Sequence, residues 1–120
     1  MLAVMAVFLG GGLGALCRYS LSKSLSPLEF PMGTLVANLS GCLLIGLVFN
    51  IGFRFTPEGP LKLFVATGFL GSLTTFSTFT LEFIQLLQTG KILIAAIYLI
   101  LNLGLGFLLT YSFLNMGYQS

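Results

Sequence analysis

Charged residues divide this chain into four long apolar runs, residues 1–17, 30–53, 63–81 and 92–120. Each is close to the length of about 20 residues that a helix needs to cross a bilayer. Between them stand SLSKSLSPLE, RFTPEGPLK and QTGK, short connectors that carry Pro, Gly and charged residues. The pattern predicts an all-α membrane protein of one domain, residues 1–120, with transmembrane helices at about 2–20, 32–53, 61–87 and 91–115. The first run resembles a signal peptide in hydropathy, but Arg18 follows the apolar stretch rather than preceding it, so it reads as a retained span.

The third run departs from a plain spanning pattern. Its segment GFLGSLTTFSTF, residues 68–79, gathers Gly68, Gly71, Ser72, Thr74, Thr75, Ser77 and Thr78 within a dozen positions. Irregular backbone at membrane depth survives only where protein buries it or where it lines a polar cavity. The segment therefore predicts a third helix broken at mid-membrane, around residues 71–74. Backbone carbonyls released there are hard oxygen ligands suited to a small monovalent cation such as sodium. The neighbouring hydroxyls offer a second outcome, in which they cap the break.

Composition sharpens the class. Charged residues make up 7% of the chain, against about 25% in soluble domains, and mean hydropathy is +1.06. With no His and two Cys, the inventory holds no zinc site, Cys/His nucleophile pair or phosphate-binding Gly-Lys loop. Cys17 and Cys42 fall in apolar runs and read as small core residues. A net charge of +2 is too small and scattered for nucleic acid binding. No nucleophile–base pair stands out, so an enzyme is not expected.

Lys23 and Lys91 fall on one side of the membrane, Arg54 and Lys62 on the other, with Arg18 at the end of the first span. Positive residues normally mark cytoplasmic loops, and here they nearly cancel. The balance favours dual topology, one subunit pairing with an inverted copy. Four short helices scarcely enclose a hydrophilic path alone, which also points to a homodimer, two-fold symmetry being commonest. Small residues four apart, Gly10 and Gly14, Gly11 and Ala15, and Gly33, Ala37 and Gly41, mark close helix contacts. They fit packing within the chain or a dimer seam equally well.

Intramembrane polar groups are costly and often functional. Asn38 lies in the second run, near Thr34 and Ser40. In the fourth, Tyr98, Asn102, Gly106 and Thr110 recur every four residues and so share a helical face. They are either bonds between helices or the lining of a path, and a ladder at one spacing favours the path. Phe76, Phe79 and Glu82 share a face of the third run. Ring edges are electropositive, so a Phe pair aimed at a path favours an anion without trapping it.

The segments GGLGALCRY, GTLVANLSGCLLIG and GFLGSLTTFSTF, at residues 11–19, 33–46 and 68–79, resemble those of the Fluc, or CrcB, fluoride channels, and the likeness runs the whole chain. It implies an antiparallel dual-topology homodimer in the bacterial inner membrane, multi-pass and embedded in lipid. Each dimer would carry two pores conducting fluoride passively outward. It implies a structural sodium held between subunits by backbone carbonyls of Gly71 and Thr74. Phe76 and Phe79 become the pore phenylalanines, and Asn38 the polar-track amide. Thr75, Ser77 and Thr78 form the hydroxyl cluster, and Tyr98, Asn102, Gly106 and Thr110 the fourth-helix track. Arg18 and Glu82 map to the vestibules. Asn102 and Gly106 stand where the family often carries Ser, and Ser72 where Gly is common. The rival is a small multidrug transporter, also four-helical and often of dual topology. It would need an acidic residue in the first helix, which this chain lacks.

Overall fold

The computed structural model describes residues 1–25, 29–54 and 56–117. The connector residues 26–28 and 55, and the end of the fourth run at 118–120, lie outside the described residues. Among those described the chain is wholly helical. Helix α1 is Leu2–Ser24, α2 is Met32–Phe53, α3 is residues 60–73, α4 is Phe76–Gln88 and α5 is Ile92–Leu114. Helices α3 and α4 together make up the third span, Pro60–Gln88, so that four stretches are long and apolar enough to cross a bilayer. The protein is a multi-pass membrane protein.

Loop chemistry explains the boundaries. Pro60 opens α3 at the first helical position, where its missing N–H is no loss. Gly90, at φ 77°, turns the chain between α4 and α5, a conformation glycine adopts without steric cost. Several stretches, Phe49–Phe53, Leu63–Leu70 and Leu101–Leu105, wind as wider π-type turns.

Glycines set the packing of α1 on α3. A Cβ on Gly10 would run into the Phe64 carbonyl, and one on Gly14 into the Phe69 carbonyl. One on Gly68 would come within 2.9 Å of the Val7 carbonyl oxygen. Backbone therefore lies against backbone along this seam, which is where lipid-embedded helices gain their contact energy. In the same way Gly33 meets Ser22 of α1, and Gly46 meets Thr110 of α5. Gly10, Gly14, Gly33 and Gly46 thus serve packing within one chain. Ala37 is fully buried, while Leu2, Val4, Phe8 and Leu16 leave much of α1 exposed. Cys17 is also exposed, against the expectation of a core position; it lies on that open side of α1, and both cysteines are free. The molecule measures 48 × 39 × 20 Å, a slab about two helix diameters thick.

Candidate functional site

The third span breaks at Thr74 and Thr75, whose backbones are extended (φ −81°, ψ 152° and φ −148°, ψ 120°). This lies slightly later than the 71–74 stretch expected from glycine content. Gly71–Leu73 stays helical, Gly71 keeping φ −62° and ψ −32°. Glycine permits a break without compelling one. The break occurs where side chains are at hand to satisfy the backbone groups it releases.

Those groups can be followed one at a time. The Leu70 carbonyl accepts from the Thr74 N–H at 3.2 Å and the Thr74 hydroxyl at 3.0 Å. The Ser72 carbonyl accepts from Arg18 Nε at 3.0 Å, a cation at the negative end of α3. Thr75 donates its N–H to Asn38 Oδ1 at 2.7 Å, and its carbonyl accepts from Asn38 Nδ2 at 3.1 Å. Thr75 is also the N-cap of α4, its hydroxyl accepting from the Thr78 N–H at 3.2 Å. The hydroxyls of Thr75 and Thr78 lie 3.1 Å apart, and Ser77 Oγ is 3.4 Å from Thr75 Oγ1. Thus the hydroxyl cluster does cap the break, the second outcome left open by the sequence.

From Asn38 a polar chain runs toward α5 and the far end of α4. Asn38 Nδ2 also donates to Asn102 Oδ1 at 2.9 Å, and Asn102 Nδ2 donates to the Tyr98 carbonyl at 3.0 Å. Tyr98, fully buried, donates its hydroxyl to Glu82 Oε2 at 2.5 Å. Thr34 donates to Glu82 Oε1 at 2.9 Å. A buried polar group is tolerated only when bonded, and each of these is.

The two rings of α4 have different surroundings. Phe79 is 3% exposed, packed 5.2 Å from the Tyr98 ring and 6.4 Å from Phe83. Phe76, 5.7 Å from Phe79, is 70% exposed on the single chain. Beside them opens a cleft of about 380 Å³. Its wall includes Asn38, Thr75, Phe76, Phe79 and Asn102, with Gly71, Thr74 and Gly106.

So one cleft brings together residues that three separate runs predicted. Others lie apart from it. Thr110 spends its hydroxyl on the Cys42 carbonyl at 2.9 Å, tying α5 to α2. A Cβ on Gly106 would lie 3.2 Å from Cys42 Sγ. Asn102, Gly106 and Thr110 of the α5 ladder therefore meet α2, while Tyr98 turns to Glu82 and Phe79 of α4; Asn102 and Gly106 are the members at the cleft. Tyr98 of α5 and Glu82 of α4 meet beyond the cleft, toward the far end of α4, and Arg18 lies on the α1 side of the break.

Sequence reading missed the partners rather than the players. The Leu70, Ser72 and Cys42 carbonyls carry no side-chain signal. Gly41 does: a Cβ there would overlap the Thr74 methyl, so this glycine makes room for the break itself.

A family model described as CrcB-like protein, Camphor Resistance (CrcB), matches residues 5–114. The chain is 46% identical over 104 residues to a protein of Serratia proteamaculans (strain 568) named fluoride-specific ion channel FluC, covering 84% of this chain and 82% of that protein. It is 39% identical over 112 residues to fluoride-specific ion channel FluC 2 of Staphylococcus saprophyticus, covering 92% and 93%. It is 46% identical over 95 residues to FluC of Salinibacter ruber, covering 77% and 71%. These relatives bear the names of ion channels, not enzymes, and with a match reaching from α1 to the end of α5, the chain belongs to the CrcB family.

Proposed function

We propose that this protein is a passive, fluoride-selective channel that lets the anion leave the cell across the bacterial inner membrane. The observation that carries this reading is a third span broken midway, with hydroxyls, an amide and two phenyl rings gathered around one cleft. Fluoride is small and holds water strongly, so a path must replace that water with donors. Thr75, Ser77 and Thr78 offer hydroxyls, Asn102 an amide, and Phe76 and Phe79 ring edges. Tyr98 and Glu82 continue the polar chain from the cleft, with Thr110 beyond it on α5. Arg18 and Glu82 would stand near the mouths. Conduction needs contacts firm enough to admit the ion and loose enough to release it, which neutral donors provide better than a fixed charge.

The working unit is an antiparallel homodimer with two such paths. A compact globule of 12.9 kDa exposes about 6,300 Å², whereas this slab exposes 7,487 Å². Phe76, in particular, is left uncovered by its own chain. An inverted second copy would cover it and close the cleft into a pore. Near-balanced loop charges support insertion in both orientations.

A structural sodium fits the same break. Among the described residues, the carbonyls of Leu70, Ser72 and Thr75 each accept a side-chain hydrogen bond, while those of Gly71 and Thr74 accept none. Neutral carbonyl oxygens suit a monovalent cation. Such an ion would supply positive potential where an anion must cross. The multidrug-transporter reading falls with membership in the CrcB family.

Fluoride efflux from liposomes holding the purified protein, read with a fluoride electrode and set against chloride, tests the proposal. Rapid fluoride release with chloride retained is expected. Equal release of both ions, or none of fluoride, refutes it. Light scattering in detergent should give twice the chain mass. Replacing sodium with a bulky organic cation throughout purification should lower flux if the carbonyl site holds the ion.

A further inference from the structure

We infer that Asn38 is a positioning residue: its carboxamide clamps the backbone of Thr75 and so fixes the helix break. The inference comes from counting donors and acceptors. A carboxamide has two amide hydrogens and one carbonyl oxygen. In Asn38 the oxygen accepts the Thr75 N–H at 2.7 Å. One hydrogen goes to the Thr75 carbonyl at 3.1 Å and the other to Asn102 Oδ1 at 2.9 Å. Both hydrogens are engaged.

The arrangement is also fixed in polarity. The Thr75 N–H can only donate and the Thr75 carbonyl can only accept, which sets which end of Asn38 is oxygen. Asn102 is set likewise, its Nδ2 donating to the Tyr98 carbonyl at 3.0 Å. Backbone groups at both ends thus agree on one orientation for the two amides. Flipping Asn38 would place donor against donor and acceptor against acceptor at Thr75.

The clamp accounts for the location of the break. Leaving a helix at membrane depth strands an N–H and a carbonyl, each costly without a partner. Asn38 supplies both partners to a single residue, as a neighbouring strand would. Thr75 in turn caps α4, so its placement sets where Phe76, Ser77 and Thr78 begin.

The effect on conduction rests on the channel proposed above, but the clamp itself is tested without flux. In protein labelled with ¹⁵N-threonine and ¹⁵N-asparagine, amide hydrogen exchange is read by NMR in detergent. Replacing Asn38→Leu should speed exchange of the Thr75 N–H by about tenfold or more, since its one acceptor is gone. Asn38→Asp keeps an oxygen for the Thr75 N–H but sets a second oxygen against the Thr75 carbonyl and Asn102 Oδ1, so it too should speed that exchange. In wild-type protein, the Asn38 side-chain hydrogens should exchange far more slowly than those of Asn115, whose bond to the Tyr111 carbonyl is exposed. Unchanged Thr75 exchange in Asn38→Leu overturns the clamp. Should that variant fail to fold, the wild-type comparison decides: Asn38 hydrogens as labile as those of Asn115 overturn it equally. Fast Thr75 exchange in the Leu variant, with no fluoride flux in wild type, leaves the clamp standing and rejects the channel.

Discussion

Gly41→Ala is the sharpest probe of the break. Its new Cβ would overlap the Thr74 methyl carbon. Thr74 has little freedom to turn away, because its hydroxyl is bonded to the Leu70 carbonyl at 3.0 Å. Relief by rotating the side chain forfeits that bond, worth about 1 kcal/mol net. Relief by moving backbone displaces Thr75 and its two bonds to Asn38. Overpacking a tight site typically costs about 1–3 kcal/mol, and a loss in that range is expected from one added methyl. The paired variant isolates the cause: Thr74→Ser deletes the offending methyl but keeps the hydroxyl. Thermal unfolding in detergent and fluoride efflux should be measured for both single variants and the double. Gly41→Ala alone should lose stability and most flux. Adding Thr74→Ser should restore both, giving a favourable coupling of about 1–2 kcal/mol in the double-mutant cycle. A wild-type-like Gly41→Ala, or a double variant no better than the single, refutes the reasoning.

Phe76→Ile should greatly reduce fluoride efflux while the helical fold, read by circular dichroism, stays intact, because the ring is 70% exposed on its own chain; unchanged efflux removes Phe76 from the path. Phe79→Ile should reduce efflux and also lower stability by about 1–3 kcal/mol, because that ring is packed between Tyr98 and Phe83. Tyr98→Phe deletes the hydroxyl that meets Glu82 and should cost about 1–3 kcal/mol on unfolding; a variant as stable as wild type would mean that the bond contributes nothing. Gly14→Val drives a branched side chain into the Phe69 carbonyl and should abolish folded protein on size-exclusion chromatography, whereas Gly12→Ala, where the Cβ meets open space, should behave as wild type.

Much of the architecture is written in local chemistry. Four apolar runs bounded by charges are enough for four spans, because hydrocarbon penalises any charge placed within it. The Ser/Thr/Gly cluster at residues 68–79 was enough to expect a break, because a lipid-facing helix gains nothing from hydroxyls. Glycines at helical spacing announced close contacts. What they touched was undecided until α1 was seen lying on α3, since a small residue suits any near neighbour. The ladder in α5 shows the same limit. Its spacing put Tyr98, Asn102, Gly106 and Thr110 on one face, but spacing is silent on whether that face meets a path or a helix. Packing against α2 committed Thr110 to a carbonyl and left Asn102 at the cleft.

The sequence by itself determined the number of spans, the class of protein and the region where the third span fails. Each depends on the transfer of a residue between water and lipid, a property it carries alone. Tertiary structure decided that the break falls at Thr74 and Thr75, that Arg18 meets Ser72 and that Asn38 meets Thr75. Hydrogen bonds need a partner in place and a direction of approach. Residues 37 positions apart, as Asn38 and Thr75 are, acquire both only when the helices pack.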